Sequence, residues 1–337
     1  MNKRKQYLHP EPFVLESGKS LEKLTLAYHT FGRMNAAKDN VIWVFHALTA
    51  NSDVLSWWPT LAGKAKALDP SENFIICVNV LGSYYGTTGP RSPHPLNGHI
   101  YGLGFPQFTV RDVVNSQLLL AEHLGIDKIK LIIGGSFGGF QALEFALLFP
   151  GRIDHMVVVG TSAKETAWSI AIHESQRLAL TADTTFSGND HESGQDGMRA
   201  ARGIGLLTYR TYEAYKLTQS DHDSRLDDFS AASYIRFQGD KLVNRFHAHC
   251  YWYLTKCLDT HDLGRGRGGV EKALAQISMP SLAIGITTDR LVPVAEQKII
   301  ASNIPGGSFV EIESEFGHDG FLIEGERIGK IVKEFIG

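Results

Sequence analysis

Cysteine is scarce in this 337-residue chain, which holds only Cys77, Cys250 and Cys257. Three scattered thiols cannot build a disulfide framework, and no C-x-x-C pair suggests zinc; reduced cysteines and a cytoplasmic setting are therefore expected. Long apolar runs are missing as well, and none approaches the ~18 residues that a membrane span needs. The start Met1–Gln6 is basic, but Tyr7–Pro12 adds no apolar segment, so no signal peptide is expected. Nor is there an excess of one charge. A net charge of −3 argues against nucleic acid or a membrane surface as a general partner, although a local basic pocket remains compatible with it. With 43% hydrophobic and 20% charged residues, the composition is that of an ordinary soluble globular protein.

What is present is a rhythm of short β-branched apolar runs separated by helical patterns, the signature of a mostly parallel sheet. Asn40–Ala47, Asn73–Val80, Lys128–Ile133, His155–Gly160, Ser281–Ile286 and Ser308–Ile312 read as strands. Several are apolar on both faces, as expected where helices cover both sides of a sheet. Val110–Leu124 and Phe137–Phe149 read as helices, the second stopped by Pro150. Phe13–Thr30 alternates apolar and polar residues and predicts an antiparallel hairpin at the sheet edge. From Lys164 to Val270 the strand rhythm stops. Thr166–Ala182, Gly197–Tyr215 and Leu242–Leu258 read as helices, and Asp183–Asp196 and Leu263–Gly269 as mobile connections. The expected organisation is a core of residues 1–163 and 271–337, with residues 164–270 inserted as a helical lid over the strand C-termini, where ligands bind in such sheets.

The pentapeptide Gly134-Gly135-Ser136-Phe137-Gly138 fits G-x-S-x-G, and its position makes it informative. It follows the strand KIKLII and opens the helix FGGFQALEFALLF, so its glycines allow the sharp turn that exposes a serine hydroxyl. A serine is a weak nucleophile without a base, and a neutral imidazole needs a carboxylate to orient it. In an α/β-hydrolase fold those partners follow in the order carboxylate, then histidine, each after a later strand. Asp289 follows SLAIGI and His318 follows SFVEI, so both are expected beside Ser136. Backbone N–H groups of Phe137 and Leu48 are the expected oxyanion donors, Leu48 lying in the loop after NVIWVF. His46 in that loop is expected to be a core histidine.

These residues and their surroundings resemble the homoserine O-acetyltransferases of methionine biosynthesis. The resemblance rests on HALT (46–49), GTTGP (86–90), YGxxFPxxTVRD (101–112), GGSFGGFQALE (134–144), AWSIA (167–171), ARGIGLLTY (201–209), the Asp289-Arg290 pair and GHDGFL (317–322). It runs from about Phe13 to the C-terminus. It implies an acyl-CoA-dependent O-acyltransferase that works through an acyl-serine in a ping-pong scheme, with no cofactor or metal, acetyl-CoA and L-homoserine as substrates, and a homodimer. It also carries acceptor binding onto Arg202, Tyr209 and Asp319. Arg202 and Tyr209 lie seven apart on a predicted helix, hence on one face. A guanidinium suits an α-carboxylate and Asp319 an α-ammonium. The chain departs from the family's usual residues at Ser83-Tyr84-Tyr85, Arg91, His94, His173 and His247–Cys250. Those departures leave a succinyl donor or a serine acceptor as alternatives, and the triad alone also leaves a serine esterase, in which water deacylates Ser136. His247 and His249, two apart on a predicted helix, do not share a face, so no metal site is expected there. Arg265 and Arg267 in LGRGRGG are one candidate for meeting the donor's phosphates, the alternative being a solvated flexible hinge whose arginines do nothing specific or pair with nearby lid carboxylates.

Overall fold

The computed structural model describes residues 3–337. Its strands are β1 (Lys5–His9), β2 (Phe13–Val14), β3 (Ser20–Leu21), β4 (Leu24–Phe31), β5 (Val41–Phe45), β6 (Phe74–Val78), β7 (Ile129–Gly135), β8 (Ile153–Val159), β9 (Ser281–Ile286) and β10 (Gly307–Ile312). Eight of them form one sheet in the order β1-β4-β6-β5-β7-β8-β9-β10. From β6 to β10 every pairing is parallel, while β4 on β6 and β1 on β4 are antiparallel. All six strands expected from their apolar runs are present.

The chain steps to one side of β5 to make β6 and to the other to make β7. Such a reversal opens a crevice at the strand C-termini, and it fixes where a ligand can sit. Alternate residues of β5 serve two cores. Trp43 and Phe45 join one apolar cluster, with Val113 and Phe145 from one side of the sheet; Ile42 and Val44 join another, with Ile328 and Val332. Every residue of β5 is buried, and each fully buried large side chain contributes roughly 1.5–3 kcal/mol. This strand anchors the sheet.

Among the described residues twelve helices follow in chain order: α1 (Val54–Trp57), α2 (Val110–His123), α3 (Phe137–Leu148), α4 (Ala167–Ala182), α5 (Gln195–Tyr209), α6 (Tyr212–Gln219), α7 (Ser230–Val243), α8 (Ala248–Asp259), α9 (Val270–Leu274), α10 (Val294–Asn303), α11 (Gly320–Ile323) and α12 (Gly325–Ile336). Helices α4 to α9 lie between β8 and β9. Among the described residues no helix is long and apolar enough to cross a membrane.

Four expectations need correction. The hairpin over Phe13–Thr30 is only the short β2–β3 pair, and β4 instead pairs with β1, whose exposed, polar sequence KQYLH hides it. The helix expected over Gly197–Tyr215 breaks at Arg210 and restarts at Thr211, whose hydroxyl caps α6 by accepting from the Ala214 N–H. The helix expected over Leu242–Leu258 is likewise two, α7 and α8, divided by residues 244–247. The connection 183–196 is tied rather than loose. The Asp183 carboxylate accepts from the Thr185 and Gly197 N–H groups, and His247 and His249 donate through Nε2 to the Asp190 and Phe186 carbonyls.

Candidate active site

Ser136 stands between β7 and α3 with φ 54° and ψ −125°, a conformation that costs a non-glycine residue of order 1–3 kcal/mol. Its neighbours hold it there. The Ser136 N–H donates to the Val159 carbonyl at 2.9 Å, and its own carbonyl accepts from the Gly139 N–H and the Thr161 hydroxyl. The turn is so tight that a Cβ on Gly134 would strike the Gly138 carbonyl, and one on Gly138 the Phe45 carbonyl. The motif's glycines are therefore steric requirements of the turn.

The serine hydroxyl meets His318 Nε2 at 2.8 Å, and His318 Nδ1 meets Asp289 Oδ2 at 2.7 Å. Asp289 Oδ1 accepts from the Leu291 and Val292 N–H groups, both at 2.9 Å. The loops carrying the base and the carboxylate are stitched together. Thr288 Oγ1 donates to the Ser314 carbonyl at 2.7 Å and accepts from the Gly317 N–H at 3.0 Å. Burial works against a charged imidazole at His318, but the charge and hydrogen bond of Asp289, with Asp319 and Glu165 adding to them, raise its pKa above the usual value. The assembly is thus built to take up a proton from Ser136.

His46 fixes the peptide that joins Ala47 to Leu48. Its Nε2 accepts from the Val80 N–H at 3.1 Å, so Nδ1 carries the proton and donates to the Ala47 carbonyl at 2.8 Å. Burial lowers its pKa to about 4, which keeps it neutral. The Ala50 N–H donates to the same carbonyl. With the Ala47 carbonyl held on one side, the N–H of the same peptide, that of Leu48, is turned the other way. Among the described residues neither the Leu48 nor the Phe137 N–H donates to a turn or loop carbonyl.

A cleft of about 420 Å³ opens above Ser136 and His318, lined also by the loop 47–51 and by Arg202, Tyr209 and Asp319. Arg202 and Tyr209 share a face of α5, with the guanidinium carbon 5.6 Å from the ring centroid. Burial raises the Tyr209 phenol's pKa, with Arg202 acting in the opposite direction. Asp319 follows His318 directly and is gripped by Arg210 Nε at 3.1 Å. Sequence reasoning missed Arg210. It lies in the break between α5 and α6, which the continuous helical pattern concealed.

The α/β-hydrolase-fold family matches residues 40–324. A homoserine O-acetyltransferase of Cyclobacterium marinum is 44% identical over 325 residues, covering 96% of this chain and 93% of that one. The chain belongs to the homoserine O-acetyltransferase family. Among solved structures, a homoserine O-acetyltransferase of Bacillus anthracis superposes with a TM-score of 0.92 at 23% identity over 99% of this chain and 97% of that one. Esterase E22 superposes with a TM-score of 0.91 at 24% identity over the whole of both chains. At such identities these superpositions show the fold.

The structure gives Arg91, His94, Tyr85 and His173 local work. Arg91 donates to the Asn189 carbonyl, and the His94 ring meets the Tyr101 ring at a tilt of 54° with centroids 4.6 Å apart. The Tyr85 hydroxyl reaches the Thr49 carbonyl at 3.2 Å. His173 lines the cleft and is fixed through Nδ1 by Asp259 at 2.8 Å, with Arg177 on the other carboxylate oxygen at 2.6 Å. Arg265 and Arg267 are paired, but with carboxylates of the core rather than of the lid. Arg265 bridges to Glu16 at 2.9 Å and Arg267 to the buried Glu144 at 2.5 Å, with Arg111 joining both carboxylates. Neither arginine lines the cleft.

Proposed function

We propose that this chain transfers an acetyl group from acetyl-CoA to the side-chain hydroxyl of L-homoserine, a step toward methionine, through an acetyl-Ser136 intermediate. The observation that carries the reading is one cleft combining the Ser136–His318–Asp289 relay with the fixed Arg202–Tyr209–Asp319 set. Family membership supports the same chemistry. In the first half-reaction His318 takes the Ser136 proton as Oγ attacks the thioester carbonyl. The Leu48 and Phe137 N–H groups meet the developing oxyanion. As the tetrahedral species collapses, His318 passes the proton to the departing thiolate. In the second half-reaction homoserine replaces the thiol and His318 accepts its hydroxyl proton. The alkoxide-like oxygen then attacks the acyl carbonyl, and Ser136 leaves with the proton from His318. No metal or further cofactor is required at any step.

Arg202 is the group assigned to the acceptor's α-carboxylate. Its Nε is buried without a protein partner among the described residues, a costly state that a bound carboxylate would relieve. Asp319 is assigned to the α-ammonium and Tyr209 to the wall against which Arg202 rests. Charge-assisted hydrogen bonds contribute about 1.5–3 kcal/mol, so Arg202→Ala should slow the homoserine half-reaction about a hundredfold. Rapid-quench measurement of each half-reaction should find acetylation of Ser136 nearly intact. Equal damage to both would make Arg202 a packing residue. The fine reading also includes a cytoplasmic homodimer. Exposed Leu178, Leu207, Leu217 and Phe237 on the inserted helices support a self-association surface.

A further inference from the structure

We propose that Lys241 and Arg245 form the site at the mouth of the cleft that holds the phosphate groups of the acyl-CoA donor. The inference rests on the acyl-CoA reading above and supplies a location for charges that Arg265 and Arg267, spent on Glu16 and Glu144, do not meet.

The argument begins with the imbalance of the lining. The whole chain carries −3, yet the cleft is lined by three cations, Arg202, Lys241 and Arg245, against a single carboxylate, Asp319. That carboxylate is already bridged to Arg210. A concave surface of one sign focuses the field and raises the local concentration of an oppositely charged ligand. The three cations also differ in depth. Arg202 is half-buried, whereas Lys241 and Arg245 are exposed. Depth sorts them by task. The thioester must reach Ser136 inside, so the phosphates, at the far end of a long flexible arm, must emerge where the cleft opens.

The two outer cations are uncommitted. Among the described residues neither has a carboxylate within ion-pair distance, whereas Arg199 and Arg236 on the inserted helices and Arg225 in the loop between α6 and α7 are each paired. Arg245 is nevertheless held still. Its Nη1 donates to the Thr49 carbonyl and, at 2.7 Å, to the Tyr85 hydroxyl, while Nη2 lies 3.3 Å from the Thr49 hydroxyl. Neutral partners fix the guanidinium without neutralising it. Its Nε has no protein partner among the described residues, and an immobilised side chain loses little further entropy on binding an anion. Lys241 sits one turn earlier, at the end of α7. The Arg245 N–H donates to the Leu242 carbonyl, so the helical path continues far enough to set both cations on one side. A mobile ammonium beside a fixed guanidinium suits a group whose phosphates lie at several positions. A carboxylate on the acyl chain is the other anion that could be offered here, but it would sit within a few bonds of the thioester and hence nearer Arg202.

The test compares a thioester that carries the phosphate-bearing nucleotide with one that lacks it. Specificity constants are measured for acetyl-CoA and for S-acetyl-pantetheine, each with saturating homoserine, in the wild type, Lys241→Glu, and Lys241→Glu with Arg245→Gln. The ratio of the acetyl-CoA to the acetyl-pantetheine value should fall about tenfold in Lys241→Glu and further in the double variant. Added salt should shrink the difference from wild type, since exposed charges are screened. An unchanged ratio overturns the site, including the case in which both donors suffer equally because the loop at Thr49 has moved. A wild-type protein that transfers nothing from acetyl-CoA overturns the acyl-CoA reading itself. A wild type that does transfer, with variants that match its ratio, overturns the phosphate site alone.

Discussion

Ser136→Ala should reduce acyl transfer by on the order of a millionfold, the scale seen when a nucleophile that acts as a unit with its base is removed. No substitute stands nearby. The three cysteines are buried away from the cleft, and burial raises the thiol pKa of each. Alanine accepts the same backbone turn, and the Val159 and Gly139 hydrogen bonds belong to the main chain, so the fold should persist. Intact-protein mass spectrometry after brief mixing with acetyl-CoA reads the result. Wild type should carry one acetyl group, assigned to Ser136 by peptide mapping, and the variant none. An adduct that persists in the variant removes Ser136 from the mechanism.

Asp289→Asn should cost about 10⁴-fold in kcat while leaving the thermal midpoint almost unmoved. The reason is local. Asp289 Oδ1 is held by the Leu291 and Val292 N–H groups, so an asparagine keeps its carbonyl oxygen there and turns its amide nitrogen toward His318. Nδ1 of His318 must then accept rather than donate, the ring proton moves to Nε2, and the base can no longer accept from Ser136. A wrong tautomer of this kind is worth about 10⁴ in a serine enzyme. Steady-state rates beside a thermal melt separate this outcome from unfolding. A loss under tenfold would mean that His318 is oriented by something other than Asp289.

The sheet was legible because its inner strands are buried on both faces and so read as unbroken apolar runs; β5, with every residue covered, is the plainest. Ser136, Asp289 and His318 were legible for a related reason. Each follows a parallel strand of the sheet, and parallel strands deliver their C-termini to one edge. His46 announced itself only as a buried ring, whereas its hold on the Ala47 carbonyl depends on Val80, 34 residues away. Strand β1 escaped because an exposed edge strand needs no apolar face. The breaks at Arg210 and before His247 escaped because helical periodicity survives a short interruption, even though Thr211 is a good cap. With the first break went Arg210, the partner of Asp319. The clamp of Arg245 on Thr49 spans 196 residues and has no local signal at all.

Thiol release from acetyl-CoA, followed with and without L-homoserine, tests the transfer reading most directly. Release should be slow with acetyl-CoA alone, because the acyl-serine waits for an acceptor, and should rise steeply with homoserine as O-acetylhomoserine accumulates in equal amount. Equal release in both cases, with free acetate as the product and rapid turnover of simple esters, would mean that water is the acceptor and the protein is a hydrolase.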